Sequence, residues 1–139
     1  MKVKDMMHKG VECVSPDTAI DAVAKKMREL DVGAIPVASD GKLVGMVTDR
    51  DITIRSVADN QDMSKVKAKD VMTSGVIYCR DNEDVEDAVR IMEGKQIRRL
   101  PVLDESMRMV GMVSLGAVSH ALPRDITGEV AKAVSAHHP

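Results

Sequence analysis

The sequence predicts an α/β fold, an α+β sandwich of two strand–helix–strand–strand–helix repeats related by a pseudo-two-fold axis, and three observations predict it. The chain repeats itself: Asp5, Met7, Gly10, Val11, Met27, Pro36 and Val37 recur as Asp70, Met72, Gly75, Val76, Met92, Pro101 and Val102, a constant offset of 65 residues (36 to 101). One residue is then inserted, and Val44-Gly45-Met46-Val47 recurs as Val110-Gly111-Met112-Val113 at an offset of 66 (45 to 111). Each copy also carries an apolar stripe of helical period, followed by two short apolar runs joined by a polar turn.

Taken in order, residues 11–14 read as a brief strand, and Ser15-Pro16-Asp17-Thr18 as a turn and helix-start cluster. Ile20, Val23, Ala24, Met27 and Leu30 then keep the i, i+3, i+4, i+7 spacing of one helix face, with Thr18 and Asp21 as its capping box. In the second copy Val85, Ala88, Val89 and Met92 repeat the stripe behind Asn82 as a cap. Residues 34–37 and 43–47 flank Ser39-Asp40-Gly41 and are expected to pair as adjacent strands; 100–103 and 109–113 do the same around Asp104-Glu105-Ser106. Helices over 49–58 and 115–122 close the copies. The division that follows is a repeat over 1–59, a charged linker over 60–69, a repeat over 70–122 and a tail over 123–139. In the tail, Ile126, Val130 and Val134 are spaced for a helix behind Asp125. A sheet with helices on one face leaves apolar surface uncovered unless a second unit packs there, so clefts are expected where the copies meet.

Composition narrows the function classes. With 139 residues, 44% hydrophobic and 30% charged, the chain is a soluble globular protein of one domain or two small lobes. Tyr78 is the only aromatic residue against 11 methionines, so the core is built from Val, Ile, Leu, Ala and adaptable Met. A chain without aromatic platforms and with a net charge of -2 is poorly suited to nucleic acid. The opening Met1-Lys2-Val3-Lys4-Asp5 has no apolar stretch after its lysines, so neither a signal peptide nor a membrane span is expected, and a cytoplasmic location is. Cys13 and Cys79 read as ordinary buried thiols, and neither they nor His8, His120, His137 and His138 have the spacing of a metal site.

Asp-x-Met, an amphipathic helix, Ile-Pro-Val or Leu-Pro-Val, and then Gly-Met-Val-Thr-x-x-Asp make a pattern that resembles tandem CBS repeats, from about Asp5 to about His120. More narrowly it is similar to the stand-alone bacterial two-CBS proteins. The resemblance implies a regulatory module whose inter-repeat clefts bind an adenine nucleotide (AMP, ADP or ATP) or S-adenosylmethionine. It also implies no obligatory cofactor, a homodimer, and an effector protein that reads the bound state.

The sharpest segment is Gly45-Met46-Val47-Thr48-Asp49-Arg50-Asp51, at the end of a strand and the start of a helix. Free backbone N–H groups there, helped by the Thr48 hydroxyl, suit a phosphate. The carboxylate of Asp51 suits a ribose diol, which donates hydrogen bonds to it. The same Thr48-x-x-Asp51 spacing is that of a capping box, and the two roles are compatible. The second copy keeps the hydroxyl at Ser114 but has Ala117 in place of the acid, so a site there is expected to be weaker, and one functional nucleotide site per chain is expected. By family position the adenine is expected against Val11, Cys13, Ile35 and Pro36, positions that read equally well as strand core. Arg98 and Arg99 match basic residues that approach phosphates in the family, and Arg50 lies in the first turn beside Thr48.

No catalytic motif is present, and Asp49 and Asp51, two residues apart at a helix start, diverge by roughly 200°, so no carboxylate dyad forms. An enzyme is therefore not expected. The rival reading is a dimeric protein-interaction scaffold whose nucleotide site is vestigial. The expected mechanism is a population shift, in which nucleotide favours one arrangement of the repeats.

Overall fold

The computed structural model describes residues 1–121, with only the backbone of Ser119 and Ala121. The tail over 123–139, its expected helix, His137 and His138, and the last residue of the helix expected over 115–122 lie outside the described residues. In chain order the elements are α1 (Val3–Met6), α2 (Ile20–Leu30), β1 (Ala34–Ser39), β2 (Lys42–Thr48), α3 (Asp49–Ile52) running into a π-helical turn (Thr53–Val57), α4 (Ala68–Val71), β3 (Cys79–Arg80), α5 (Val85–Lys95), β4 (Arg99–Leu103), β5 (Met109–Ser114) and α6 (Leu115–Ala121). This is the mixed α/β content expected.

The described residues form two compact units whose borders differ from those of the sequence repeats. Glu12–Val76 make a contiguous unit, and Met1–Val11 join the residues from Ile77 onward in a discontinuous one. Each copy has thus given up its opening Asp-x-Met segment to the unit built around the other copy's strands. In the contiguous unit the Thr73 and Met46 amides donate to each other's carbonyls (2.8 and 3.1 Å). In the discontinuous unit the His8 and Met112 amides do the same (2.8 and 3.0 Å). The short helices α1 and α4 that carry these segments have four residues each, too few to show a period in sequence.

The two strand sets explain the repeated proline. In the contiguous unit β1 and β2 pair antiparallel, and Val14 adds one parallel bridge to Val37. The Val14 amide donates to the Pro36 carbonyl (3.0 Å) and the Ala38 amide to the Val14 carbonyl (2.9 Å). The next step of that ladder needs an N–H at residue 36, and proline has none. The strand expected over 11–14 is therefore a single bridge. In the discontinuous unit β3 pairs parallel with Val102 and Leu103, and β5 lies antiparallel on the other side of β4, giving the order β3-β4-β5. Pro101 ends the parallel pairing at Cys79 in the same way.

The helices bury most of their stripes but do not use their expected caps. Ile20, Val23 and Met27 lie in a core with Val14, Ile35, Val37, Val47, Val66, Ala68 and Val71. Val85, Ala88, Val89 and Met92 lie in another with Val3, Cys79, Leu100, Val102, Val113 and Val118. Each buried Val, Ile, Leu or Met side chain among them is worth about 1.5–3 kcal/mol. Two members of the first stripe are not buried: Ala24 is exposed, and Leu30, at its end, is 39% exposed. The capping box expected of Thr18 and Asp21 does not form: Thr18 Oγ1 bonds Ser15 Oγ (3.0 Å), Asp21 bonds the next amide, and Ala19 is the N-cap. In the second copy the cap is Asp84 rather than Asn82, and the Asp84 amide donates to Asp87 Oδ2 (3.3 Å). Both helices end on a left-handed residue, Asp31 (φ 54°) and Gln96 (φ 56°). The Val32 and Ile97 amides then donate back to Met27 and Met92 (3.0 Å each), the Schellman pattern.

The first hairpin turns on Asp40 and Gly41, both at positive φ (53° and 78°), as a two-residue primed turn requires. The helix expected over 49–58 is α-helical only to Ile52. Beyond it the Thr53 hydroxyl donates to the Asp49 carbonyl (3.0 Å) and the fully buried Ser56 hydroxyl to that of Ile52, in a turn widened to π geometry.

Candidate functional site

Strand β2 ends at Thr48, whose extended backbone (φ -108°, ψ 162°) makes it the N-cap of α3. The Asp51 amide donates to Thr48 Oγ1 (3.0 Å), and the Thr48 amide donates to Asp51 Oδ2 (3.0 Å). The capping box anticipated from the spacing is thus formed, and it holds both side chains in one geometry. The Asp51 carboxylate is 13% exposed, and its other oxygen, Oδ1, has the Arg55 guanidinium 3.9 Å away. The Thr48 hydroxyl keeps its own proton to donate. The corner therefore presents a fixed acceptor and a fixed donor, both half-buried.

Register explains why the corner is steady. Thr48 lies opposite Ala34, and the Asp49 amide donates to the Gly33 carbonyl (2.9 Å). A Cβ at Gly33 would come within 3.2 Å of Asp49 Oδ2, so the small residue lets the chain approach. Arg50 is exposed in the first turn, its amide donating to Asp49 Oδ1 (2.8 Å).

Of the residues expected to meet adenine, Ile35 is 1% exposed inside the core of its unit and Pro36 is also buried. Cys13 is half-buried, one residue before the Val14 bridge, and burial pushes its thiol above the ordinary range against the opposing pull of Lys26. Val11, Arg98, Arg99 and Ser114 belong to the discontinuous unit. There Arg99 lies opposite Ser114, and the Leu115 amide donates to the Arg98 carbonyl (2.8 Å), the counterpart of Asp49 and Gly33. Both arginines are exposed. Ser114 Oγ accepts from the Ala117 amide (3.2 Å), half of a capping box, with no acid at 117 to complete it.

A shallow groove of about 330 Å³ in the contiguous unit, between Met27, Arg28 and Val32 on one side and Asp49 and Ile52 on the other, contains none of the expected ligand residues. Among the described residues no three His, Cys, Asp or Glu side chains gather as a metal site, and no helix is long and apolar enough to cross a membrane. Sequence reasoning missed Arg55. Its position four residues after Asp51 was visible, but the carbonyls it meets belong to the other copy's opening segment.

The model of the CBS domain matches residues 3–57 and 68–124. Hypoxic response protein 1 of Mycobacterium tuberculosis is 35% identical over 132 residues, covering 94% of this chain and 92% of that protein. Its crystal structure, with two coordinated zinc ions, is similar at a TM-score of 0.80, over 88% of this chain and all of the other. CBSX2 from Arabidopsis thaliana in complex with AMP is 30% identical with a TM-score of 0.76, covering 86% of this chain and 94% of that one. The CBS domain pair of protein MJ0100, in complex with 5'-methylthioadenosine and S-adenosyl-L-methionine, is 28% identical with a TM-score of 0.76, covering 87% and 98%.

Proposed function

Because the chain belongs to the CBS domain family and carries two of its repeats, we propose that it is a regulatory, non-catalytic module that binds an adenine nucleotide at the Thr48–Asp51 corner. The observation that carries the reading is the state of Asp51. One carboxylate oxygen is held by the Thr48 amide and orients the group, while the other, among the described residues, faces Arg55 at 3.9 Å. A ribose diol donates to such an acceptor, and the Thr48 hydroxyl donates to the sugar-phosphate oxygens. AMP on CBSX2 supports this class of ligand. The module acts as a homodimer, and an effector protein reads the shift in conformational population that the nucleotide causes.

A thermal-shift panel with AMP, ADP, ATP and S-adenosylmethionine tests this. A nucleotide at 100 times its Kd adds about 2.7 kcal/mol of stability, and Asp51→Ala removes the shift. No shift with any of the four sinks the reading, and a shift retained in Asp51→Ala moves the site elsewhere. S-adenosylmethionine is the second reading, favoured by the ligand of the MJ0100 pair; a shift with it alone selects that reading.

A further inference from the structure

Arg55 lies on the π-helical turn, four residues after Asp51, and its guanidinium faces two ways. Nη1 donates to the Val71 carbonyl (3.1 Å) and to the Met72 carbonyl (3.3 Å), at the C-terminal end of α4. Nε lies 3.9 Å from Asp51 Oδ1. The last carbonyls of a helix have no partner within it, and a cation placed there satisfies them. The segment so held leads back to the corner. Met72 packs on Gly45, and Thr73 exchanges two backbone hydrogen bonds with Met46, two residues before Thr48 on β2. Asp51, Arg55, the end of α4 and β2 form a closed ring of contacts within one compact unit.

We propose that Arg55 is a positioning residue that ties the Asp51 carboxylate to the C-terminal carbonyls of α4, so that occupation of the Thr48–Asp51 corner is transmitted to residues 71–73. The inference rests on the reading of that corner as the nucleotide site. A ligand that fixes Asp51 fixes the guanidinium that holds α4, and by linkage whatever grips α4 changes the affinity of the corner. The half-exposed ion pair at 3.9 Å is worth little by itself. The pair of hydrogen bonds to the backbone supplies the grip, and Asp51 supplies the orientation.

The test is amide hydrogen exchange, resolved by residue, on the full chain and on Arg55→Gln, each with and without AMP. In the unliganded variant the Thr73 and Met46 amides exchange about tenfold faster, as loss of a charge-assisted hydrogen bond predicts, while Met27 in α2 keeps its rate. Faster exchange at all three alike reports a general loss of stability and overturns the inference, as does unchanged exchange at Thr73 and Met46. In the wild type AMP slows exchange at Thr73. In Arg55→Gln AMP still binds, within about fivefold of the wild-type Kd, but leaves Thr73 unaffected. Slowing that persists in the variant overturns transmission through Arg55. If the wild type does not bind AMP, the liganded arms are run with whichever of ADP, ATP or S-adenosylmethionine binds; binding of none of the four defeats the site reading and the transmission with it, whereas a failure in the unliganded arm defeats the Arg55 inference alone.

Discussion

Met72 occupies the space that a side chain at Gly45 would need: a Cβ there would come within 2.5 Å of Met72 Sδ and 3.0 Å of the Thr73 carbonyl oxygen. Gly111 stands in the same relation to Met7 and His8, with Met7 Sδ and the His8 carbonyl oxygen each 2.8 Å from its Cβ position. The two sequence signatures, Asp-x-Met and Val-Gly-Met-Val, are therefore the two sides of one contact, made twice with the copies crossed.

Gly45→Ala should cost about 1–3 kcal/mol in urea denaturation, the range for overpacking a tight contact. Gly111→Ala should cost more, because backbone obstructs it as closely as a flexible thioether does. Adding Met72→Ala to Gly45→Ala should recover part of the loss, giving a coupling of about 0.5 kcal/mol or more in a double-mutant cycle. Strict additivity would mean that the pair does not meet.

Thr48→Ala should destabilise the ligand-free protein by about 1 kcal/mol through loss of the cap, and Thr48→Ser should restore most of it. The complementary experiment completes the unfinished box in the other copy. Ala117→Asp offers a carboxylate to the Ser114 amide, which should stabilise by about 0.5 kcal/mol. Titration calorimetry should then count a second adenine nucleotide per chain. A stoichiometry that stays at one would show that the acid was not what that corner lacked.

Burial, with a smaller push from Glu83, raises the Cys79 thiol from its ordinary 9.0 to about 12. In the unfolded chain the thiol loses its proton first, so the unfolded state binds fewer protons above pH 9. The contribution to stability is fully present below pH 9 and is lost as pH rises toward 12. Urea midpoints measured from pH 8 to 11 should therefore fall less steeply in Cys79→Ala than in the wild type. At pH 8 iodoacetamide should label the half-buried Cys13 before Cys79, whose labelling waits on unfolding.

Ile20→Ala and Met92→Ala remove side chains that are 0% exposed, and each should cost about 2–5 kcal/mol. Leu30→Ala, on the same sequence stripe as Ile20, should cost about 0.5 kcal/mol or less because Leu30 is 39% exposed. Equal losses at Ile20 and Leu30 would contradict the burial assigned to the end of α2.

What was legible in the sequence was whatever repeats with a period. The stripe of α5, the Ile20, Val23 and Met27 part of the α2 stripe, the Asp40-Gly41 turn and the Thr48–Asp51 box all rest on neighbours within a few residues, and each is where its spacing placed it. The caps were less legible, because several acids and hydroxyls compete at each helix start and packing selects among them: Thr18 prefers Ser15, and Asp84 displaces Asn82. The exchange of opening segments was not legible at all. The hydrogen bonds of Thr73 with Met46 and of His8 with Met112 join residues far apart in the chain, and nothing local distinguishes the copy in which a segment will finally pack. Arg55 escaped for the same reason.

The exchanged segments also set an order of events during synthesis. The contiguous unit is complete once residue 76 has left the ribosome, since Gly45 then has Met72 to cover it and Met46 has Thr73 to pair with. The discontinuous unit joins segments far apart in the chain: α1 waits for Asp81 and Glu83, whose carbonyls accept from the Lys4 and Val3 amides, and His8 pairs with Met112 only after the intervening chain is synthesised. Closing so long a loop is slow relative to local contacts. The Met-bearing segment around α1 thus stays without these partners until they have been made, and its closure onto β5 is a late step in assembling the discontinuous unit.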